Sequence, residues 1–134
     1  MTLCDVSEKA LDNGREIIQK SIARIAKKEH PTDATAQNTL VARVFDAIRM
    51  TTDPGDAVVD ANLVVEAIVE KLEAKQALFR QLDAIAAKEC VFATNTSSLS
   101  VREIASSTCE DRRRRCETLI DFPVIYGLKR LIDL

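Results

Sequence analysis

The chain is poor in the residues on which several classes of protein depend. Its 134 residues include no tryptophan, one histidine, three glycines and three prolines, and aromatic residues make up 4% of the total. So little glycine and proline excludes a collagen-like or low-complexity chain. The four cysteines form no C-x-x-C pair, and the single histidine lies far from them, so the sequence predicts no metal site.

Long apolar runs and a strong net charge are also absent. No apolar segment approaches the roughly 18 residues that would span a bilayer. A formal net charge of -2 gives no overall attraction to nucleic acid or to acidic membranes. The first residues, Met1 to Asp5, resemble neither a signal peptide nor a transit peptide. We therefore expect no nucleic-acid partner, no membrane partner and no targeting segment in this chain.

The residues that are present describe an aliphatic-rich globular domain. Hydrophobic residues make up 46% of the chain and charged residues 30%. We interpret Cys4 and Cys90, which fall in apolar strand-like runs, as free buried thiols in a reducing compartment. The basic run from Arg112 to Arg115 is interpreted as a solvated face.

The hydrophobic pattern alternates between short apolar runs and segments of helical period. Such alternation is typical of right-handed βαβ units and predicts an α/β fold with a partial doubly wound, Rossmann-like parallel sheet and a long helix pair. One of the strands is expected to be buried on both faces. The predicted strands are Met1 to Asp5, Ile48 to Thr52, Asn62 to Ile68 (buried on both faces) and Cys90 to Thr94; the predicted helices are Ala10 to Lys28 capped by Ser7, Ala34 to Ile48, Lys71 to Lys88 and one to Ile104 capped by Ser98 or Ser100; Asp53 to Asp56 reads as a turn.

Polar residues follow three of the predicted strands. Asp5, Glu70 and the segment from Asn95 to Ser98 stand at strand ends, where ligands bind in open α/β sheets. Asp5 is placed to accept hydrogen bonds from the hydroxyls of an adenine ribose, although single strand-end acids also cap or face solvent. For Ser97, a helix cap or a hydroxyl-stabilised turn is the structural alternative.

From Met1 to about Arg112 the chain resembles the NAD-binding domain of the 3-hydroxyacyl-CoA dehydrogenases. We expect a partial dinucleotide-binding domain at residues 1–112 and a divergent, helical tail at residues 113–134. The matching residues are Leu3-Cys4-Asp5 with Glu8, Ala26-Lys27-Lys28, Asp60, Leu63 to Glu70, Lys75, Leu78-Phe79 and Asn95 to Leu99.

This resemblance implies roles for individual residues. Asp5 would bind the adenine ribose, Glu70 and Lys75 would line the NAD site, and Ser97 would act as a catalytic residue near the nicotinamide and the 3-oxygen of the substrate. Ser21 and Lys28 match positions that contact coenzyme A, although an exposed lysine is commonly just solvated.

The chain also departs from the family pattern. Gly14, Gly55 and Gly127 do not form the glycine-rich turn G-x-G-x-x-G, and no H-F-F-N-P segment carries a catalytic histidine. His30 is interpreted as a solvated loop residue. The family's first strand and its helical C-terminal domain have no counterpart here, so we expect either that the flanking strands close up or that apolar surface is exposed.

The resemblance therefore implies a fragment of an NAD-dependent 3-hydroxyacyl-CoA dehydrogenase of fatty-acid β-oxidation, inactive alone. Two alternatives remain: a non-enzymatic module that binds acyl-CoA or a subunit, and a 3-hydroxybutyryl-CoA dehydrogenase or part of a multifunctional β-oxidation enzyme. Implied partners are 3-hydroxyacyl-CoA and either a second copy or the full-length enzyme. The implied compartment is the mitochondrial matrix.

Overall fold

The computed structural model describes residues 1–118, which divide into two compact units, Met1–Ala57 and a second unit that begins at Val58. Helices and strands alternate along both units. The strands are β1 Thr2–Cys4, β2 Arg49–Thr51, β3 Leu63–Glu66, β4 Val91–Thr94 and β5 Cys116–Thr118; the helices are α1 Glu8–Glu29, α2 Ala34–Asp46, α3 Pro54–Val58, α4 Leu72–Asp83, α5 Val101–Ala105 and α6 Glu110–Arg113.

The first unit combines a two-stranded parallel sheet with a pair of long helices. β1 lies beside β2 with Leu3 opposite Met50. The Ser7 hydroxyl accepts a hydrogen bond from the Ala10 N–H at 3.3 Å, so α1 begins where the sequence predicts. Asp33 caps α2 in the same way, and α1 packs against α2.

The second unit contains a parallel sheet in the order β3, β4, β5. Its core forms where α4 and α5 cover the central strand, because Phe92 on β4 meets Phe79 on α4 in an edge-on contact with ring centroids 5.2 Å apart. The buried members of this core are Val58, Phe79, Leu82, Cys90, Phe92 and Ile104. Parallel strands alternating with helices confirm the predicted α/β class.

Two local predictions are wrong at helix ends. The segment Asp53 to Asp56 does not form an isolated turn, because Pro54 opens α3 and the Asp53 carboxylate accepts the Gly55 N–H at 2.7 Å. Proline suits a first helical position, where its missing N–H has no intrahelical partner to lose. α4 ends at Asp83 and not at Lys88.

The prediction that residues 62–68 form a strand buried on both faces is also wrong. β3 is an edge strand of its sheet, and Leu63 and Val65 are 45% and 44% exposed. A run rich in valine and leucine is typical of a buried parallel strand, but the strand is buried only if other elements pack against both faces of the sheet. Exposed apolar surface, one of the two expected alternatives, is therefore present at β3. β1, predicted to be buried, is half-buried.

The basic run and the predicted tail need correction as well. Arg112 is 2% exposed and does not belong to a solvated face. Cys116–Thr118 is not helical, because it pairs in parallel with β4 as strand β5. Residue 112, the predicted end of the dinucleotide-binding domain, lies within α6, and β5 follows that helix. The domain boundary itself stays a prediction. Residues 119–134 of the predicted tail lie outside the described residues.

All four cysteines are free thiols, but only Cys90 is fully buried; Cys4 is half-buried. Burial raises the pKa of Cys4 and Cys90, and raises the pKa of Cys116 to about 11. Within residues 1–118, no helix combines the length and apolar character needed to cross a bilayer.

Arg112 ties the end of α4 to the strand that follows. Its Nε donates to Asp83 Oδ1 at 2.8 Å. Its other guanidinium nitrogens donate to the carbonyls of Ala86, Ala87 and Cys90. The guanidinium carbon lies 4.6 Å from the centroid of the Phe92 ring. The pKa of Asp83 is lowered, although its partial burial opposes this, because Arg112 and Cys109 donate hydrogen bonds to the carboxylate.

We expect Arg112→Met to lower the free energy of unfolding by about 3 kcal/mol, because it removes the cationic partner of a partly buried carboxylate and the donor of three carbonyls. Urea denaturation of the purified chain measures this loss. The matched control is Arg114→Met, which removes an exposed ion pair with Glu110 and should change stability by less than about 1 kcal/mol. Equal losses in both variants would show that Arg112 does not anchor the unit.

Candidate functional site

Two neighbouring strands of the second unit end in polar residues that face each other. Glu66 is the last residue of β3 and lies in register with Thr94, the last residue of β4. The Asn95 N–H donates to the Glu66 carbonyl at 2.8 Å, which extends the pairing by one step. Because parallel strands end at the same sheet edge, the loops 67–71 and 95–100 meet there.

Glu70 joins these two loops. Its Oε1 accepts hydrogen bonds from the hydroxyl of Ser98 at 2.9 Å and from the hydroxyl of Thr96. Its Oε2 lies 3.2 Å from Lys75 Nζ, and the side chain is 40% exposed. The hydrogen bond from Thr96, assisted by those from Ser98 and Lys75 and opposed by desolvation, lowers the pKa of Glu70 to about 2. Glu70 is therefore an ionised acceptor that keeps contact with solvent.

Lys75 lies beneath the loops and not on their surface. It is 1% exposed, and its Nζ donates to Glu66 Oε1 at 2.7 Å and to the Ile68 carbonyl at 3.3 Å, besides its contact with Glu70. An ammonium carries three hydrogens, and three acceptors surround this one. The structure places the Lys75 ammonium against Glu70 Oε2, and the role in the NAD site that the resemblance implied for Lys75 stays a prediction.

Glu66 is a site residue that the sequence analysis missed. It is 2% exposed; its Oε1 accepts the Ile68 N–H and the Lys75 ammonium, and its Oε2 accepts the Thr94 hydroxyl at 2.6 Å. The sequence carried one usable signal. A glutamate inside an apolar run such as Val64 to Ile68 can be buried only with a charged partner, and Lys75 stands one loop later on a helix.

Ser97 is exposed in the loop that Glu70 fixes. Neighbouring residues take the two structural roles that were the alternatives for Ser97, a hydroxyl-stabilised turn and a helix cap. The Thr96 hydroxyl accepts the Leu99 N–H at 3.1 Å and so stabilises the turn, while Ser100 caps α5. Glu70 thus binds the residue on each side of Ser97, which leaves Ser97 at the surface of the turn.

The remaining predicted residues belong to the first unit. Asp5 follows β1 and is exposed, and its Oδ1 accepts the Ser7 N–H at 2.9 Å, so part of its capacity serves a local turn. Ser21 is half-buried on α1, where Arg24 donates to its hydroxyl, and Lys28 is exposed on the same helix. The structure brings together Glu70, Lys75 and the Ser97 loop, all within the second unit.

His30 lies in the loop between α1 and α2, as predicted, and is half-buried rather than fully solvated. Its N–H donates to the Ala26 carbonyl, and its own carbonyl accepts from Gln37 at 2.6 Å. It lines a groove of about 380 Å³ together with Asp33, Leu40 and Arg43. None of the predicted site residues lines this groove.

We expect Thr96→Val to raise the pKa of Glu70 from about 2 toward 4.5, because it removes the largest stabilising hydrogen bond to the carboxylate. Since this pKa is lower in the folded chain, the contribution of Glu70 to stability is full above pH 4.5 and is lost as the pH falls toward 2. A ¹³C NMR titration of the Glu70 carboxyl carbon measures the midpoint. Ser98→Ala should raise it less, and Ser100→Ala should leave it unchanged; an unmoved midpoint in Thr96→Val contradicts the assignment.

The sequence model of the family described as 3-hydroxyacyl-CoA dehydrogenase, NAD binding domain, matches residues 1–119. The chain is 42% identical over 104 residues to a probable 3-hydroxyacyl-CoA dehydrogenase of Caenorhabditis elegans, covering 78% of this chain and 34% of the relative. It is 37% identical over 113 residues to the human mitochondrial hydroxyacyl-coenzyme A dehydrogenase, covering 84% of this chain and 36% of the relative.

Solved structures agree with the sequence matches. A 3-hydroxybutyryl-CoA dehydrogenase from Escherichia coli K12 superposes with a TM-score of 0.70 at 29% identity over 87% of this chain and 23% of that chain. An (S)-3-hydroxybutyryl-CoA dehydrogenase from Ralstonia eutropha gives 0.67 at 28% identity over 84% of this chain and 38% of that chain. The Rossmann-like fold expected from the sequence is confirmed. The chain spans about a third of the length of the curated relatives it matches, and it belongs to the family of 3-hydroxyacyl-CoA dehydrogenase NAD-binding domains.

Proposed function

We propose that this chain supplies the coenzyme-binding part of an NAD-dependent 3-hydroxyacyl-CoA dehydrogenase of fatty-acid β-oxidation and does not turn over substrate by itself. One observation carries the proposal. At the carboxyl ends of β3 and β4, an ionised and exposed Glu70 is bound to Thr96 and Ser98, on either side of the exposed Ser97. This edge of a parallel sheet is where α/β proteins bind dinucleotides.

The exposed groups of the second unit fit the nicotinamide end of NAD. Glu70 is an acceptor suited to ribose hydroxyls, and Asn95 and Ser97, both exposed, offer donors and acceptors for the carboxamide of a nicotinamide. Asp5 in the first unit is an exposed carboxylate suited to the hydroxyls of the adenine ribose. For the pyrophosphate, residues 1–118 offer no glycine-rich turn, since Gly14 lies in α1 and Gly55 in α3.

The chemistry of the family needs a base as well as a coenzyme. A bound NAD would supply the acceptor for the hydride that leaves C3 of a 3-hydroxyacyl-CoA. In our proposal Ser97 donates a hydrogen bond to the 3-oxygen and helps to orient it. A base must reach the hydroxyl proton within about 3 Å. The only histidine of the chain, His30, lies in the α1–α2 loop of the first unit, and we assign it no proton transfer.

Helix α1 is the proposed contact for coenzyme A. Ser21 and Lys28 stand seven residues apart and so share a helix face. The exposed ammonium of Lys28 suits a phosphate group of coenzyme A as a point charge. This assignment extends the resemblance to the family and makes 3-hydroxyacyl-CoA the proposed substrate class.

Two finer assignments follow from the relatives. The likeness to two solved enzymes named for 3-hydroxybutyryl-CoA favours a short acyl chain as the second candidate substrate. The human relative is named as mitochondrial, which supports the mitochondrial matrix as the compartment.

The exposed apolar residues of β3 support contact with a second copy or with the full-length enzyme.

Separate titrations of NADH and acetoacetyl-CoA into the purified 134-residue chain test the proposal. We expect both to bind and no NADH to be consumed when they are mixed. Lys28→Ala should weaken acetoacetyl-CoA binding about threefold, since an exposed charge contact contributes up to about 1 kcal/mol, while Lys27→Ala is the control. Acetoacetyl-CoA binding without NADH binding would identify a non-enzymatic acyl-CoA module, and NADH consumption would show a complete enzyme.

Glu70→Gln tests the coenzyme contact directly. We expect the NADH dissociation constant to rise about tenfold, because a hydrogen bond to a charged group contributes about 1.5 kcal/mol. Isothermal titration calorimetry measures the change. The matched control is Glu73→Gln, an exposed acid in the first turn of α4 that should leave binding unchanged. Equal affinities for Glu70→Gln and the wild-type chain would remove Glu70 from the site.

A further inference from the structure

A continuous chain of polar contacts runs from the interior of the second unit to its surface. It begins at the Thr94 hydroxyl, passes through the Glu66 carboxylate to the Lys75 ammonium, and reaches Glu70. The exposure of the side chains rises along this path, from 0% at Glu66 and 1% at Lys75 to 40% at Glu70. The exposed end of the chain therefore depends on groups that solvent does not reach.

The Lys75 ammonium contacts three oxygen atoms. It donates hydrogen bonds to Glu66 Oε1 at 2.7 Å and to the Ile68 carbonyl at 3.3 Å, and it forms an ion pair with Glu70 Oε2 at 3.2 Å. Because the Lys75 residue is 1% exposed, it contributes to the exposed end of the site through Glu70.

The position of the Lys75 ammonium is set in turn by Glu66. A lysine side chain is long and flexible, and it needs a fixed partner to hold one geometry. The Glu66 carboxylate is held from three directions, by β4 through Thr94, by the loop through the Ile68 N–H and by α4 through Lys75. It is the most constrained member of the chain of contacts.

We infer that Glu66 is a positioning residue for the proposed coenzyme site, acting through Lys75 to orient Glu70 and the Thr96 to Ser98 turn that presents Ser97. This inference rests on the proposed function. Nothing in it requires Glu66 to touch the coenzyme.

A buried ion pair with a purely structural role would behave differently. It would change the stability of the unit and leave the geometry of the Ser97 turn intact. The second unit contains such a comparison, because Asp83 and Arg112 form another buried pair at the far end of α4. Asp83→Asn is therefore the matched control.

The experiment compares Glu66→Gln, Thr94→Val, Lys75→Met and the double variant Glu66→Gln/Lys75→Met with the wild-type chain. Glu66→Gln keeps the shape of the side chain and leaves the Lys75 ammonium paired with Glu70 alone, whereas the double variant removes both buried charges together. If Lys75→Met alone does not fold, the other three variants still decide the question. Asp83→Asn is measured alongside.

The first readout is ¹H–¹⁵N NMR of the free chain. We expect the amide signals of Thr96 to Leu99 and the ¹⁵Nζ signal of Lys75 to shift in Glu66→Gln and Thr94→Val, and to stay in place in Asp83→Asn. The second readout is NADH titration. We expect Glu66→Gln to raise the dissociation constant roughly fivefold and the double variant to match Lys75→Met, because residues that act in series are not additive.

Unmoved amide signals of the Ser97 turn in Glu66→Gln would falsify the inference, as would effects of Glu66 and Lys75 on NADH affinity that simply multiply. A wild-type chain that binds no NADH overturns the proposed function instead. The NMR signals of the free chain then still decide whether Glu66 orients the turn.

Discussion

The ion pair between Glu66 and Lys75 is the interaction on which the candidate site depends. Removing two charges from water costs several kcal/mol for each ion, and a protein recovers this only where the remaining lone pairs and hydrogens are also bonded. Here the Ile68 N–H, the Thr94 hydroxyl and the Glu70 carboxylate complete both partners. Because these donors and acceptors come from strand β4 and from the loop 67–71, that loop can adopt few other arrangements without leaving a buried charge unsatisfied.

Helix α4 carries a buried lysine near its start and a partly buried aspartate at its end, and both charges oppose the helix dipole. Lys75 lies in the first turns, where the dipole favours acids, and Asp83 is the last residue, where it favours bases. Each is compensated by a specific partner, Glu66 for Lys75 and Arg112 for Asp83. The helix is thereby fixed at both ends around the apolar contact of Phe79 with Phe92, and the position of its first turn determines where Glu70 lies.

Local chemistry predicted the parts of this fold that depend on neighbouring residues. Ser7 begins α1 because its hydroxyl binds an N–H three residues away. The apolar run likewise predicted that Glu70 follows a strand, although β3 ends at Glu66 and Glu70 lies in the loop after it. Non-local partners decided the rest. Arg112 is buried because its guanidinium binds Asp83, 29 residues earlier, and the carbonyls after α4. Within the run of four arginines, no feature of the sequence distinguishes it from the others. Likewise, whether the apolar side chains of β3 are buried depends on other elements packing against its two faces, and the sequence of β3 alone does not show this.

The electrostatics of the second unit favour binding over proton transfer. A general base works best when its pKa lies near the working pH. Glu70, with a pKa of about 2, is too weak a base for this task, and the Cys116 thiol, with a pKa of about 11, stays protonated at neutral pH. The same hydrogen bonds that keep Glu70 ionised, and so suit it to the ribose contact that we propose, also make it too weak a base for proton transfer. A site built in this way can hold a coenzyme and orient a hydroxyl group beside it, and it needs a separate residue to accept the proton.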